Sequence, residues 1–221
     1  MKFIRNHWYD LGLIPLAAAL VYQIVCWSST DLLQKLALFN FMVIFWHQFE
    51  EYRFPGGEAA ITNLAMQPSK DGSPDRYPLN QNNALFINWV AGFLFYGLPI
   101  IFPHTLWVAF APVVFGMSQM IIHVFMTPKR IGNRLYSPGA CAVVFGHLPV
   151  GIIWFWHTIS NGLFDWTAPV FGLLYLAAFQ LIVMMKIGYG VMKKPDNPYP
   201  FSKEEFERGG YAERISSKQK T

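Results

Sequence analysis

A chain of 221 residues that is 53% hydrophobic and 14% charged, with a positive mean hydropathy of +0.28, is too apolar for an ordinary soluble globule. Its net charge of +4 is modest and no basic patch carries interleaved aromatics, which argues against nucleic-acid binding. Charge-poor apolar runs recur from end to end at lengths suited to roughly 30 Å of hydrocarbon, so the expected fold is an all-α, polytopic membrane bundle in contact with lipid.

The head carries Lys2 and Arg5, and the first run is Leu11 to Trp27. A basic start before an apolar run resembles a signal peptide, but its continuation to Trp27 and the runs that follow predict a retained first helix. The second run, Leu32 to Trp46, is interrupted by Gln34, Lys35 and Asn40 and leads into His47, Glu50 and Glu51 before Pro55, Gly56 and Gly57. The connection Gly56 to Asn83 predicts a short interfacial helix over Glu58 to Gln67, then a loop rich in Pro, Ser, Asp, Gly and Asn. Further runs cover about Ala84 to Phe102, Thr105 to Phe125, Ala140 to Trp156 and Ala168 to Val191. Prolines 15, 99, 112, 149 and 169 would break soluble helices, yet packed membrane helices tolerate them. About six transmembrane helices result, in a bundle over 1–192 with a loop at 52–82 and a tail at 193–221. In the tail, Ser202 with Glu205 three residues on reads as a helix cap.

Lys and Arg set the orientation. The head, the second connection (Arg53, Lys70, Arg76), the fourth (Lys129, Arg130, Arg134) and the tail are basic, whereas 28–31, the turn at Pro103 and His104, and 158–167 have neither residue type. Both ends, the loop and the tail are therefore expected in the cytoplasm, and the protein in the cell (inner) membrane. Cys26 and Cys141 fall at opposite ends of their spans, which predicts free thiols.

The polar cluster of the second run is the main chemical signal. On a helix, with His47 at zero, Glu50 lies at about −60°, Glu51 at about +40° and Asn40 about 20° away, so one face carries all four. Two carboxylates near the carbonyl end of a helix are disfavoured by its macrodipole and need a positive partner. One candidate is a divalent metal; Arg53 or Arg134 is the other. The fourth run ends with Gln119 and His123 on one face, at the same membrane depth as His47. His47, Glu51 and His123 then form a two-histidine, one-carboxylate ligand set of the kind used by catalytic zinc, with zinc favoured over iron. Glu50 and Glu51 are the candidate catalytic acids, Glu50 as fourth ligand or general base. Asn40, Asn88, Gln119, Arg134, Tyr136 and His147 are candidates for the pocket or for hydrogen bonding behind the ligands. Plainer roles stand beside these: Glu50 pairing with Arg53, Glu51 solvated, His123 bonded to Gln119, Asn88 in helix–helix bonding, and Arg134 as an inner-face anchor.

His47, Glu50 and Glu51, followed by Gln119 with His123 and by the Tyr136 to Gly139 turn, make residues 35–150 similar to the HXXEE-motif membrane proteins, a family of undescribed function. The resemblance implies membrane residence and a shared polar site, and names no reaction. Taken together, the residues favour a membrane-embedded, metal-dependent enzyme with hydrolase-type acid–base chemistry on a lipid-like or apolar substrate at the cytoplasmic leaflet. A metal-free acid–base isomerase is one alternative. An ion- or proton-coupled binding or transport protein using the same acids is another.

Overall fold

The computed structural model describes residues 2–132 and 136–218, and every regular element among them is helical. Helix α1 spans Lys2–Val25 with a break at Gly12, and α2 spans Leu32–Tyr52. A short α3 covers 58–66, followed by α4 (Gln81–Ile101), α5 (Leu106–Ile131), α6 (Ala140–Ser160) and α7 (Thr167–Val191). Two small helices, α8 (Lys203–Glu207) and α9 (Tyr211–Lys218), complete the described chain.

Five of these helices, α1, α4, α5, α6 and α7, are long and apolar enough to cross a membrane. The sixth expected span, α2, has the length at 21 residues, but Gln34, Lys35, Asn40, His47, Gln48, Glu50 and Glu51 make it less apolar than the other five. Its position explains the difference. Fifteen of its 21 residues are buried, on all sides of the helix, and it packs against α1, α4, α5 and α6. A helix enclosed by protein can be polar where its neighbours are polar, whereas helices facing lipid cannot. At the other extreme, only 11% of the apolar window of α7 is buried inside the protein, so its exposed Leu173, Leu174, Leu181 and Ile182 suit a hydrocarbon environment.

Local chemistry sets the helix ends. The Asp31 carboxylate accepts from the Gln34 N–H at 3.0 Å and starts α2. Asn80 and Asn83 form a reciprocal cap on α4, and Ser202 with Glu205 does the same for α8. Gly12 brings α1 against α2 so closely that a Cβ there would lie 2.8 Å from the Phe45 ring. Cys26 and Cys141 are free thiols.

The start of α1, the end of α2, the start of α4 and the C-terminal helices meet at one end of the bundle. Tyr9 Oη donates to Glu205 Oε1 at 3.2 Å, Gln81 Nε2 donates to Glu205 Oε2 at 2.8 Å, and Arg208 Nη1 donates to the Tyr52 carbonyl at 2.6 Å. The long connection is pinned as well. Asn63 Nδ2 donates to the carbonyls of Pro74 (2.7 Å) and Leu79 (2.8 Å), and its Oδ1 accepts from the Leu79 N–H (2.8 Å).

Glu50 joins α2 to the start of α6. Its Oε1 accepts from the Cys141 N–H at 3.1 Å and its Oε2 from the Ala142 N–H at 2.9 Å, and the Tyr136 hydroxyl donates to it as well. A carboxylate at a helix N-terminus satisfies amides that have no partner within the helix and interacts favourably with the helix dipole. Glu50→Ala should therefore lower unfolding free energy in detergent by about 2–4 kcal/mol, since buried donors lose a charged acceptor. A change below about 0.5 kcal/mol, within the range of an inert surface substitution, would contradict this role.

Candidate metal centre

His47 and Glu51 stand one turn apart on α2, and His123 reaches them from α5. Glu51 Oε1 lies 3.3 Å from His47 Nε2 and 3.4 Å from His123 Nε2. One ligand atom from each of the three residues falls within 4.8 Å of the others, and all three side chains are buried. The two imidazole rings meet edge to face with centroids 4.7 Å apart.

The turn Tyr136-Ser137-Pro138-Gly139 fixes this arrangement piece by piece. The Ser137 hydroxyl donates to the His123 carbonyl at 2.5 Å, and His123 Nδ1 donates to the Pro138 carbonyl at 2.6 Å. A carbonyl can only accept, so Nδ1 carries the proton and the Nε2 lone pair is left facing Glu51. Gly139 has φ +90°, and a Cβ there would sit 2.7 Å from both the His123 Nδ1 and the His47 Cε1. Both the backbone angle and the space for two rings require glycine at this position. Tyr136 holds Glu50 rather than facing the ligands. His123 also lies in a wide, i→i+5 turn of α5 (Ile121–Met126), a distortion often found at functional sites.

The spacing tests whether these residues fit a metal. Charge-assisted N–H···O bonds run about 2.7–2.9 Å, shorter than either separation. Tetrahedral ligands with bonds of about 2.0–2.1 Å stand about 3.3–3.4 Å apart, the separations seen from Glu51 to each histidine. The edge between the two histidine nitrogens is at most 4.8 Å, so one ion could be reached by both. Two imidazoles and a carboxylate, buried and within 4.8 Å of one another, form a donor set that fits a divalent transition metal.

His47, Glu51 and His123 line a cavity of about 340 Å³. Asn88 and Gln119 also line it, joined by Gln180, while Ile44, Ile87, Phe115, Phe179 and Met184 form apolar walls. Asn88 is anchored, with its Nδ2 donating to the Ala84 carbonyl at 2.9 Å. Asn40 and His147 form a separate pair behind His47. His147 Nδ1 donates to Asn40 Oδ1 at 2.8 Å, and the His147 ring centroid is 5.8 Å from that of His47. Neither lines the cavity. The oxygens of Glu50 point to α6 instead of the cavity, so the structure brings together His47, Glu51 and His123 and leaves Glu50 outside. Arg53 pairs with Asp10 at 3.2 Å rather than with Glu50. Arg134 lies outside the described residues.

Glu58 completes the cavity and was not among the residues expected from the sequence. It opens α3, lines the cavity with Glu51, and accepts from the Thr62 hydroxyl at 2.5 Å. Burial, reinforced by the Glu51 charge and opposed by the Thr62 bond, pushes its carboxyl up to about 8. Two positive-φ glycines, Gly56 (74°) and Gly57 (102°), turn the chain back so that α3 meets the end of α2. A glutamate four residues before a threonine, just after a glycine pair, was the sequence signal available for it.

Residues 38–155 match a family described as proteins of unknown function with an HXXEE motif. No curated protein and no solved structure matches the chain. The matched region runs from α2 to α6 and contains His47, Glu50, Glu51, His123 and the Tyr136–Gly139 turn. With more than half of its length matched, the chain belongs to this HXXEE family.

Proposed function

We propose that the protein is a membrane-embedded, metal-dependent enzyme in which His47, Glu51 and His123 hold a divalent ion, zinc in preference to iron. It carries out hydrolase-type chemistry on a lipid-like substrate. The observation that carries the reading is the pair of 3.3 and 3.4 Å separations from Glu51 to two histidines lining an otherwise largely apolar cavity. Two histidines and one carboxylate, leaving a fourth position for water, suit the tetrahedral preference of zinc. The clustering of Lys and Arg in the head, the connection after α2, the connection after α5 and the tail supports a site opening to the cytoplasmic leaflet of the cell membrane.

An ion bound there would supply Lewis acidity and lower the pKa of water in its open position. The chain's residues supply the remainder. Pro138 holds His123 in the tautomer that ligates, and Glu51 spans the two histidines. Glu58, neutral near pH 7 and oriented by Thr62, is placed to give a proton to a leaving group. Ile44, Ile87 and Phe115 exclude water beside them.

Purified in detergent, the protein should hold one equivalent of zinc by mass spectrometry or take it up on titration. His47→Ala, Glu51→Gln and His123→Ala should each weaken binding by at least about 100-fold. A parent that binds no metal even when titrated would sink the metal reading and leave the acid–base or transport alternatives. Loss in His47→Ala without loss in His123→Ala would break the pairing of α2 with α5.

The Glu58 carboxyl keeps its proton more tightly when folded, at about 8, than at its ordinary value of 4.5. The stability this proton provides is full below about 4.5 and is lost as pH rises to about 8. Thermal unfolding of metal-free protein should therefore show falling stability across that window, and Glu58→Gln should flatten the fall. An unchanged pH profile in the variant would show that Glu58 is solvated.

A further inference from the structure

The charge pattern of the cavity points to a substrate class. We infer that the polar head the substrate carries beside its reacting bond is uncharged or cationic, as in a monoacylglycerol or a long-chain amine, and not a carboxylate or a phosphate. The inference rests on the enzyme reading above for the word substrate, while the binding preference itself stands on the cavity.

Among the described residues no lysine or arginine lines the cavity, whereas two acidic side chains, Glu51 and Glu58, do. Two basic residues near the site in sequence are engaged elsewhere: Arg53 pairs with Asp10, and Arg130 Nη1 donates to the Ala65 carbonyl at 3.1 Å. An anionic head moved from water into this space would meet two acidic side chains, Glu51 and Glu58, and, among the described residues, no side-chain cation to replace its hydration. An ion held by Glu51 and the histidines would add positive charge at that position only, so the preference concerns the space beyond it, lined by Glu58, Gln119 and Gln180. The reacting group must occupy that position, so the rest of the head faces the remainder of the cavity.

The remainder offers hydrogen bonds suited to a hydroxyl or an ammonium. Glu58 Oε1 is engaged by Thr62, and Oε2 receives no hydrogen bond among the described residues. The amides of Gln119 on α5 and Gln180 on α7 line the same cavity, and neither makes a side-chain hydrogen bond among the described residues. An amide both donates and accepts, so it pairs with a neutral hydroxyl as well as with an ammonium. Ile87, Ala91, Phe115, Phe179 and Met184 supply the apolar surface that a hydrocarbon chain would cover.

Four probes of one chain length test this on the full chain in nonionic detergent: monolauroylglycerol, dodecylamine, laurate and dodecyl phosphate, with binding read by native mass spectrometry and metal content measured on the same sample. The glycerol and amine probes should bind metal-free protein at least about 10-fold more tightly than the two anions. An ammonium beside Glu58 favours its charged form, so Glu58→Gln should reduce amine binding about 10-fold and change monolauroylglycerol by less than about 3-fold. Gln180→Leu, on a helix that faces outward, should weaken both favoured probes and guards against a Glu58 variant that fails to fold. Binding of laurate or dodecyl phosphate as tightly as the amine, or no binding of any probe, overturns the inference. Retained preference in a protein that takes up no metal would remove the enzyme reading and leave this one. A metal-loaded protein preferring the anions would do the reverse.

Discussion

One buried carboxylate oxygen, Glu51 Oε1, faces two imidazole nitrogens at distances too long for charged hydrogen bonds and suited to a shared ion. Removed from water, such a group requires a cation or a proton, and the surrounding elements are arranged around that requirement. Helix α2 supplies two of the three candidate ligand residues and is enclosed by α1, α4, α5 and α6. The neighbours can then be apolar on their outer faces while the centre remains polar. Lipid solubility and a polar site are thereby separated into different helices.

The four-residue turn before α6 is the second determinant. Each of its residues meets a different part of the site: Tyr136 the Glu50 carboxylate, Ser137 the His123 backbone, Pro138 the His123 ring, and Gly139 the space between both rings. Glu50 closes the other side of the same frame by capping α6. The family motif therefore divides into two tasks. His47 and Glu51 face the candidate ion, and Glu50 locks the helix whose preceding turn positions His123.

Much of this was legible in the sequence because it follows from periodicity. Apolar runs of spanning length fixed the helical class, the i,i+4 relation put His47 and Glu51 on one face, and equal depth in the membrane brought His123 to them. Glu50 was harder to place. It lies about 100° from Glu51 around the helix, so one acid can face the cavity while its neighbour faces α6, and periodicity alone does not say which. Glu58 was hidden for a different reason: it becomes a neighbour of Glu51 only after the chain reverses at Gly56 and Gly57, a backbone event with no hydrophobic period. The docking of the tail, through Glu205 and Arg208 onto Tyr9, Gln81 and Tyr52, likewise depends on long-range side-chain bonds that no local pattern encodes.

The most direct test of the central claim is X-ray absorption at the zinc edge on detergent-purified protein loaded with one equivalent of metal. Zinc held as proposed by His47, Glu51 and His123 would give a four-coordinate nitrogen and oxygen shell at about 2.0–2.1 Å with outer-shell scattering from two imidazoles, falling to one imidazole in His123→Ala. A six-coordinate shell without imidazole scattering, or a spectrum unchanged in His123→Ala, would contradict it.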